Sequence, residues 1–191
     1  AFTLRPRPGR RKPGDGAARR ARRALPRRGR CGTYRPMNRQ LSALCVFCAS
    51  SDRGPADHRV AARRLGVLLA EAGVTLVFGG GRVGLMGAVA DATMEAGGSV
   101  TGVIPTWLAD REIAHQGVSE LVTVASMHER KALMYQRADA FAVLPGGIGT
   151  IDEMMEVLTW RHLGLHAKPL VLLDIDGVWD GFLDLIRTLT R

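Results

Sequence analysis

No stretch of the 191-residue chain approaches the roughly 18 consecutive apolar residues that a membrane helix needs, although 46% of it is hydrophobic. The first residues also lack the apolar core segment of a secretory signal, so none is expected. Cysteine is scarce: there are three, two of them spaced as Cys45-x-x-Cys48. That number and spacing give neither a disulfide framework nor a four-ligand zinc set. No helix start follows Cys48 at the spacing thioredoxin-like chemistry uses. The expectation is a soluble body in a reducing, cytoplasmic compartment. Internal repeats are absent, and so is the Gly-Lys-Ser/Thr step of a Walker loop, which disfavours nucleoside triphosphate hydrolysis with Mg²⁺.

Acidic residues are nearly missing from the first 36 positions, where thirteen Lys/Arg face Asp15 alone. The remaining 155 residues hold fourteen Lys/Arg against seventeen Asp/Glu, so the formal charge of +9 is a basic leader on a mildly acidic body. The whole-chain charge therefore says nothing about the partners of the body, and a nucleic-acid partner rests on the leader alone. Residues 1–36 have only Phe2, Leu4, Leu25 and Tyr34 as larger apolar groups, too few to offset ordering entropy, and read as disordered. A nucleic-acid arm, an Arg-rich transit peptide and an upstream extension outside the natural product all fit them. The extension is favoured, because Met37 directly precedes the ordered pattern and the chain opens on Ala. Residues 37–191 are expected to form one domain. Its last helical pattern runs to the end without a Gly or Pro stop signal, as in a truncated C-terminus.

From Leu41 onward, short apolar runs alternate with amphipathic stretches. The pattern predicts strands over 44–47, 74–78, 99–104, 121–124, 140–144 and 170–173, and helices over 56–72, 85–96, 127–137, 150–163 and 179–190. The strands are bare of charge and followed by Gly, Ser, Pro or Asp. That is the mark of a doubly wound, Rossmann-like α/β domain with a mainly parallel sheet, helices on both faces and ligand-facing loops at the strand ends.

Three of those loops carry unusual residues. After the first strand, Ser50 and Ser51 offer hydroxyls and N–H groups to a phosphate or ribose, or simply cap a loop. After the second comes Gly79-Gly80-Gly81-Arg82-Val83-Gly84-Leu85-Met86-Gly87. It contains G-x-G-x-x-G, but on the wrong strand for a dinucleotide fold, and the next strand ends in Pro105-Thr106 without the ribose-binding acid. What survives is close backbone approach at Gly80 and Gly81 and an anion at the following helix start. The third loop, Pro145-Gly146-Gly147-Ile148-Gly149-Thr150-Ile151-Asp152-Glu153, reads as an anion cradle suited to a monophosphate. Spacing alone leaves Glu153 open between a catalytic carboxylate and the far end of a Thr150-x-x-Glu153 capping box.

A fourth segment, Ser126-Met127-His128-Glu129-Arg130-Lys131, opens a helix with a second capping box and puts two cations where the helix dipole disfavours them. Such charges call for an anionic partner, and Arg130 suits a bidentate grip on a phosphate or carboxylate. Lys131 is open between the same role and a solvated surface position.

With these motifs assembled, the chain resembles the LONELY GUY family of nucleoside-monophosphate phosphoribohydrolases, older members of which were labelled lysine decarboxylases. The resemblance rests on Cys45-Val46-Phe47-Cys48-Ala49-Ser50-Ser51, the Gly79 to Gly87 loop, Met127-His128-Glu129-Arg130-Lys131 and the Pro145 to Glu153 motif, and it extends through Thr159-Trp160 and Lys168-Pro169. Ile148 stands where an aromatic is common, and Ile151-Asp152 replaces Leu-Glu; the fixed positions of the motif are kept. The resemblance implies hydrolysis of the N-glycosidic bond of an N6-modified adenosine 5′-monophosphate by a homodimer, without metal or cofactor. By position it implies Arg130 and Glu153 as the catalytic pair. It implies substrate contacts at Glu112, Arg130, Lys131, Gly147, Ile148, Gly149, Thr150, Ile151, Asp152, Glu153 and Thr159. A non-enzymatic nucleotide-binding or cofactor-carrier protein of the same fold is the alternative. The body holds only two lysines, Lys131 and Lys168, neither suitably placed for the Schiff base of a pyridoxal decarboxylase.

Overall fold

Strands bare of charge are suited to burial on both faces, and the six expected ones pair into one parallel sheet whose inner strands are buried while the edge strands are partly exposed. The computed structural model describes residues 41–109 and 114–189; the leader and Glu112 lie outside them. The strands are β1 (Ala43–Phe47), β2 (Thr75–Phe78), β3 (Val100–Pro105), β4 (Glu120–Val124), β5 (Ala140–Val143) and β6 (Leu170–Leu172). Between them run α1 (Ala56–Glu71), α2 (Gly84–Glu95), α3 (Thr106–Ala109), α4 (Met127–Arg137) and α5 (Ile148–His162), and α6 (Asp180–Leu189) follows β6. The order across the sheet is β4-β3-β2-β1-β5-β6, with every pairing parallel. Winding proceeds outward from β1 to β4, then reverses at β5 on the other side of β1. The crevice between β1 and β5 is thus the switch point where such sheets bind ligands.

Alternation along each strand divides the core. Val46, Leu76, Phe78 and Val100 face α1 and α2, where Ala62, Leu69 and Val89 cover them. The two helices touch closely at Gly66, where a Cβ would sit 2.5 Å from the carbonyl oxygen of Val89. On the other face Phe47, Val77, Phe141 and Val143 pack against Met134 of α4, Met154 and Val157 of α5, and Trp179. Cys45 belongs to this second cluster and Cys48 to the first, so the two free thiols point to opposite faces of the sheet. The Cys-x-x-Cys spacing of a strand cannot bring them together.

Two elements differ from expectation. The single turn α3 has no apolar periodicity to announce it. Helix α5 begins at Ile148, two residues before Thr150: Gly147 takes the cap position with φ −92° and ψ −156°, and Ile151 N–H makes the first intrahelical bond, to Gly147 O.

Candidate active site

The site lies in a cleft of about 400 Å³ at the β1–β5 switch point, walled by the loops after both strands, the start of α4, α3 and the first turns of α5. Loop 48–51 is pinned on both sides. Ala49 N–H donates to Pro145 O at 3.2 Å, and Ala49 O accepts from the N–H groups of Leu85 and Met86 at 2.9 and 3.2 Å. Gly84, with φ +71°, permits this contact, since a Cβ there would lie 2.5 Å from Ser51 N. The anion expected at the start of α2 is therefore replaced by a protein carbonyl, which already satisfies the first free donors of that helix. Gly80 and Gly81 are also spent on structure: Gly80 O accepts from His115 N–H at 2.9 Å, and Gly81 bridges Ala114. Neither lines the cleft. Ser50 and Ser51 do, both exposed.

The start of α5 has the opposite character. With Ile151 making the first internal bond, the N–H groups of Ile148, Gly149 and Thr150 have no partner within the helix. A Cβ on Gly147 or Gly149 would meet no protein atom within 4 Å, so packing does not require glycine at either position. Ile148 is 83% exposed. The cradle is open, and its glycines keep the backbone clear for a ligand. Gly146 has a different task, because a Cβ there would strike the Thr150 side chain that folds over it.

The early start of α5 also removes the capping-box reading of Glu153. Thr150 is the third residue of the helix and Glu153 lies in the second turn, away from the cap. Glu153 is only 5% exposed and lines the cleft. At Ser126 the first half of the box forms, Ser126 Oγ accepting from Glu129 N–H at 3.2 Å, while Glu129 Oε2 reaches one residue past the cap and accepts from Ala125 N–H at 2.8 Å.

Arg130 follows directly and turns inward, 3% exposed. Its Nη2 donates to Gly79 O at 2.8 Å and its Nε to Val103 O at 3.1 Å, so one guanidinium joins the ends of β2 and β3 and lines the cleft. Two strand-end carbonyls thus hold this cation in place before any substrate arrives. The buried thiols of Cys45 and Cys48 sense both site charges: burial pushes each well above the usual thiol range, Glu153 adds to the rise, and Arg130 opposes it. They are neutral packing groups.

Lys131 finds its anions within the protein, Asp152 at 3.2 Å and Glu156 at 2.9 Å, and so ties α4 to α5 at the cleft edge. Ile151 packs into the core. Thr159 sits exposed further along α5, its hydroxyl donating to Met155 O at 2.7 Å, outside the cleft. Trp107 and Leu108 of α3 form an apolar wall with Met86 and Met127. The sequence reading missed that wall; the aromatic directly after Pro105-Thr106 was its one signal.

Residues 86–191, more than half of the chain, match the family model described as a possible lysine decarboxylase. Over 143 residues the chain is 48% identical to the cytokinin riboside 5′-monophosphate phosphoribohydrolase LOG2 of Arabidopsis thaliana, a match covering 75% of this chain and 67% of that protein. The chain belongs to the LONELY GUY family. The corresponding LOG protein of Oryza sativa subsp. japonica is 49% identical over 143 residues, covering 75% of this chain and 59% of its own length. The chain thus spans about three fifths to two thirds of these curated relatives. Among solved structures, a Moco carrier protein from Chlamydomonas reinhardtii superposes with a TM-score of 0.61 at 23% identity, covering 75% of this chain and 83% of that one, which shows the shared fold. Among the described residues no lysine is placed to serve the decarboxylase wording of the family model. Lys131 is held between two carboxylates, and Lys168 Nζ donates to Tyr135 O while lying 4.0 Å over the Tyr135 ring.

Proposed function

We propose that this LONELY GUY protein hydrolyses the N-glycosidic bond of N6-modified adenosine 5′-monophosphates, with AMP as the simplest substrate, releasing the free base and ribose 5-phosphate. The observation that carries the reading is the pairing, on one helix, of an open amino terminus with a buried carboxylate in the turn below it. The free N–H groups at Ile148 to Thr150 suit the phosphate. Breaking the ribosyl bond builds positive charge on the sugar, and Glu153 is the carboxylate placed to stabilise it or to orient the attacking water. Arg130, fixed by Gly79 O and Val103 O, supplies a rigid cation facing the same space. The apolar side at Trp107, Leu108 and Met127 suits the base. Glu112 and Thr159 are carried as substrate contacts on the family pattern alone. A homodimer and a cytoplasmic location belong to the same proposal.

Two measurements test it. Purified protein is incubated with AMP and with N6-isopentenyl-AMP, and free base and ribose 5-phosphate are assayed; no product from either from a folded protein removes the reading. Glu153→Gln is expected to bind AMP and to lose about 10²- to 10³-fold in kcat, the usual cost of deleting a transition-state electrostatic partner. Full turnover in that variant would remove Glu153 from the mechanism.

A further inference from the structure

A second cavity, of about 520 Å³, opens beside the first and shares Ala49, Ser51 and Gly147 with it. Its far wall is the first turn of α1, which begins after Pro55 without a side-chain cap. His58 N–H turns back to Pro55 O at 3.2 Å, leaving Ala56 and Asp57 N–H without a partner within the helix. The His58 side chain is the unusual group. It is 8% exposed, it lines this cavity, and among the described residues its ring makes no hydrogen bond or ion pair. Side chains on a helix lean toward the amino terminus, which directs the ring toward the start of α1. Its Nδ1 lies beside Gly54, where a Cβ would be 3.6 Å away. The carboxylate in the wall, Asp52, is paired with Arg59 at 3.0 Å, and Asp57 is exposed and outside the lining. A largely buried imidazole with no hydrogen bond among the described residues, lining a cavity at a helix amino terminus, is complementary to an anion.

We propose that His58 is a substrate-contacting, specificity-determining residue that reads the 5′-phosphate. The phosphate sits where the two cavities meet at Gly147, taking donors from the first turn of α5 on one side and from His58 and the first turn of α1 on the other. The inference rests on the hydrolase reading for the identity of the substrate and assigns it a phosphate clamp made from two helix amino termini. The apolar half of the cleft, at Trp107, is then left to the base, and His58 discriminates nucleotide from nucleoside.

Calorimetric titration with ribose 5-phosphate, and separately with adenine, tests this on the full chain. His58→Phe keeps a ring of similar size and removes the donor. It is expected to weaken ribose 5-phosphate about tenfold, as loss of a hydrogen bond to a charged group does, while adenine affinity stays at the wild-type value. Unchanged ribose 5-phosphate affinity, or an equal loss for adenine, overturns the proposal. If the urea midpoint shows that His58→Phe does not fold, Ala56→Pro takes its place: proline suits the first helical position and deletes one donor of the clamp. Unchanged ribose 5-phosphate affinity in that variant is equally decisive against the clamp. Base release from AMP by the wild type is measured alongside. Release with wild-type affinity in the variant tells against His58 alone. No release, with ribose 5-phosphate bound and weakened by the substitution, tells against the hydrolase reading and supports the clamp.

Discussion

Arg130 has exchanged water for the carbonyls of Gly79 and Val103, so any replacement leaves buried acceptors behind. Arg130→Lys keeps the charge and loses the planar fork that spans two strands. It is expected to lower stability by about 1–3 kcal/mol, read as a drop in the urea midpoint, and to depress kcat together with it. Gly79→Ala approaches the same contact from the other side. Its Cβ would lie 2.1 Å from Arg130 Nη2 and 3.2 Å from the Met86 methyl, so the guanidinium has to move. A cost of about 1–3 kcal/mol is expected, with activity falling below what the lost stability explains. Unaltered kinetics in Gly79→Ala would separate the position of Arg130 from the chemistry. Neither partner is adjacent in sequence to Arg130, and the glycine run gave no hint that its first member serves a side chain 51 positions away.

At the scale of elements, α4 and α5 meet through Lys131. Burial pulls its ammonium down, but Glu156 and then Asp152 more than offset this and leave its pKa above the ordinary 10.5. A pKa higher in the folded state than in the unfolded one gives a contribution that is fully present below about 10.5 and lost as pH rises through the folded value. Unfolding free energy should therefore fall on the alkaline side of that pH more steeply in the wild type than in Lys131→Met. The variant itself is expected to lose about 1 kcal/mol at neutral pH, measured by urea titration. The boundary of α5 shows where local pattern misleads. Thr150-x-x-Glu153 has the spacing of a capping box, and at the same spacing Ser126 caps its helix by accepting from Glu129 N–H, yet Gly147 opens the later helix. A glycine cap has no side chain to announce it. The close fit of Thr150 over Gly146 brings Thr150 inside the helix rather than at its edge.

In the molecule as a whole, charge and chemistry occupy different parts of the chain. Every residue lining the cleft lies between Cys48 and Glu153, while thirteen of the 27 Lys/Arg fall in residues 1–36. A chain starting at Met37 is expected to release base from AMP at the rate of the full chain and to show no nucleic-acid affinity in a filter-binding assay. Retention of such affinity would place a nucleic-acid surface on the body. Among the described residues no helix is long and apolar enough to cross a membrane.

The six strands, the parallel winding and the loops that carry chemistry were legible in the residues alone, because short apolar runs alternating with amphipathic stretches suit a parallel sheet covered by helices, even though the edge strands β4 and β6 stay partly exposed. The sequence by itself also singled out Arg130 and Glu153, the first by a cation in a dipole-disfavoured place, the second by its motif. Tertiary structure decided what each glycine loop does. The loop after β2 closes on Ala49, His115 and Arg130, and the loop after β5 stays open, since backbone donors are claimed by whichever carbonyl the fold brings near them. His58 had no motif at all. Its place in the clamp comes from the first turn of α1 and the loop after β5 lining one cavity, segments nearly ninety residues apart whose juxtaposition local pattern does not encode.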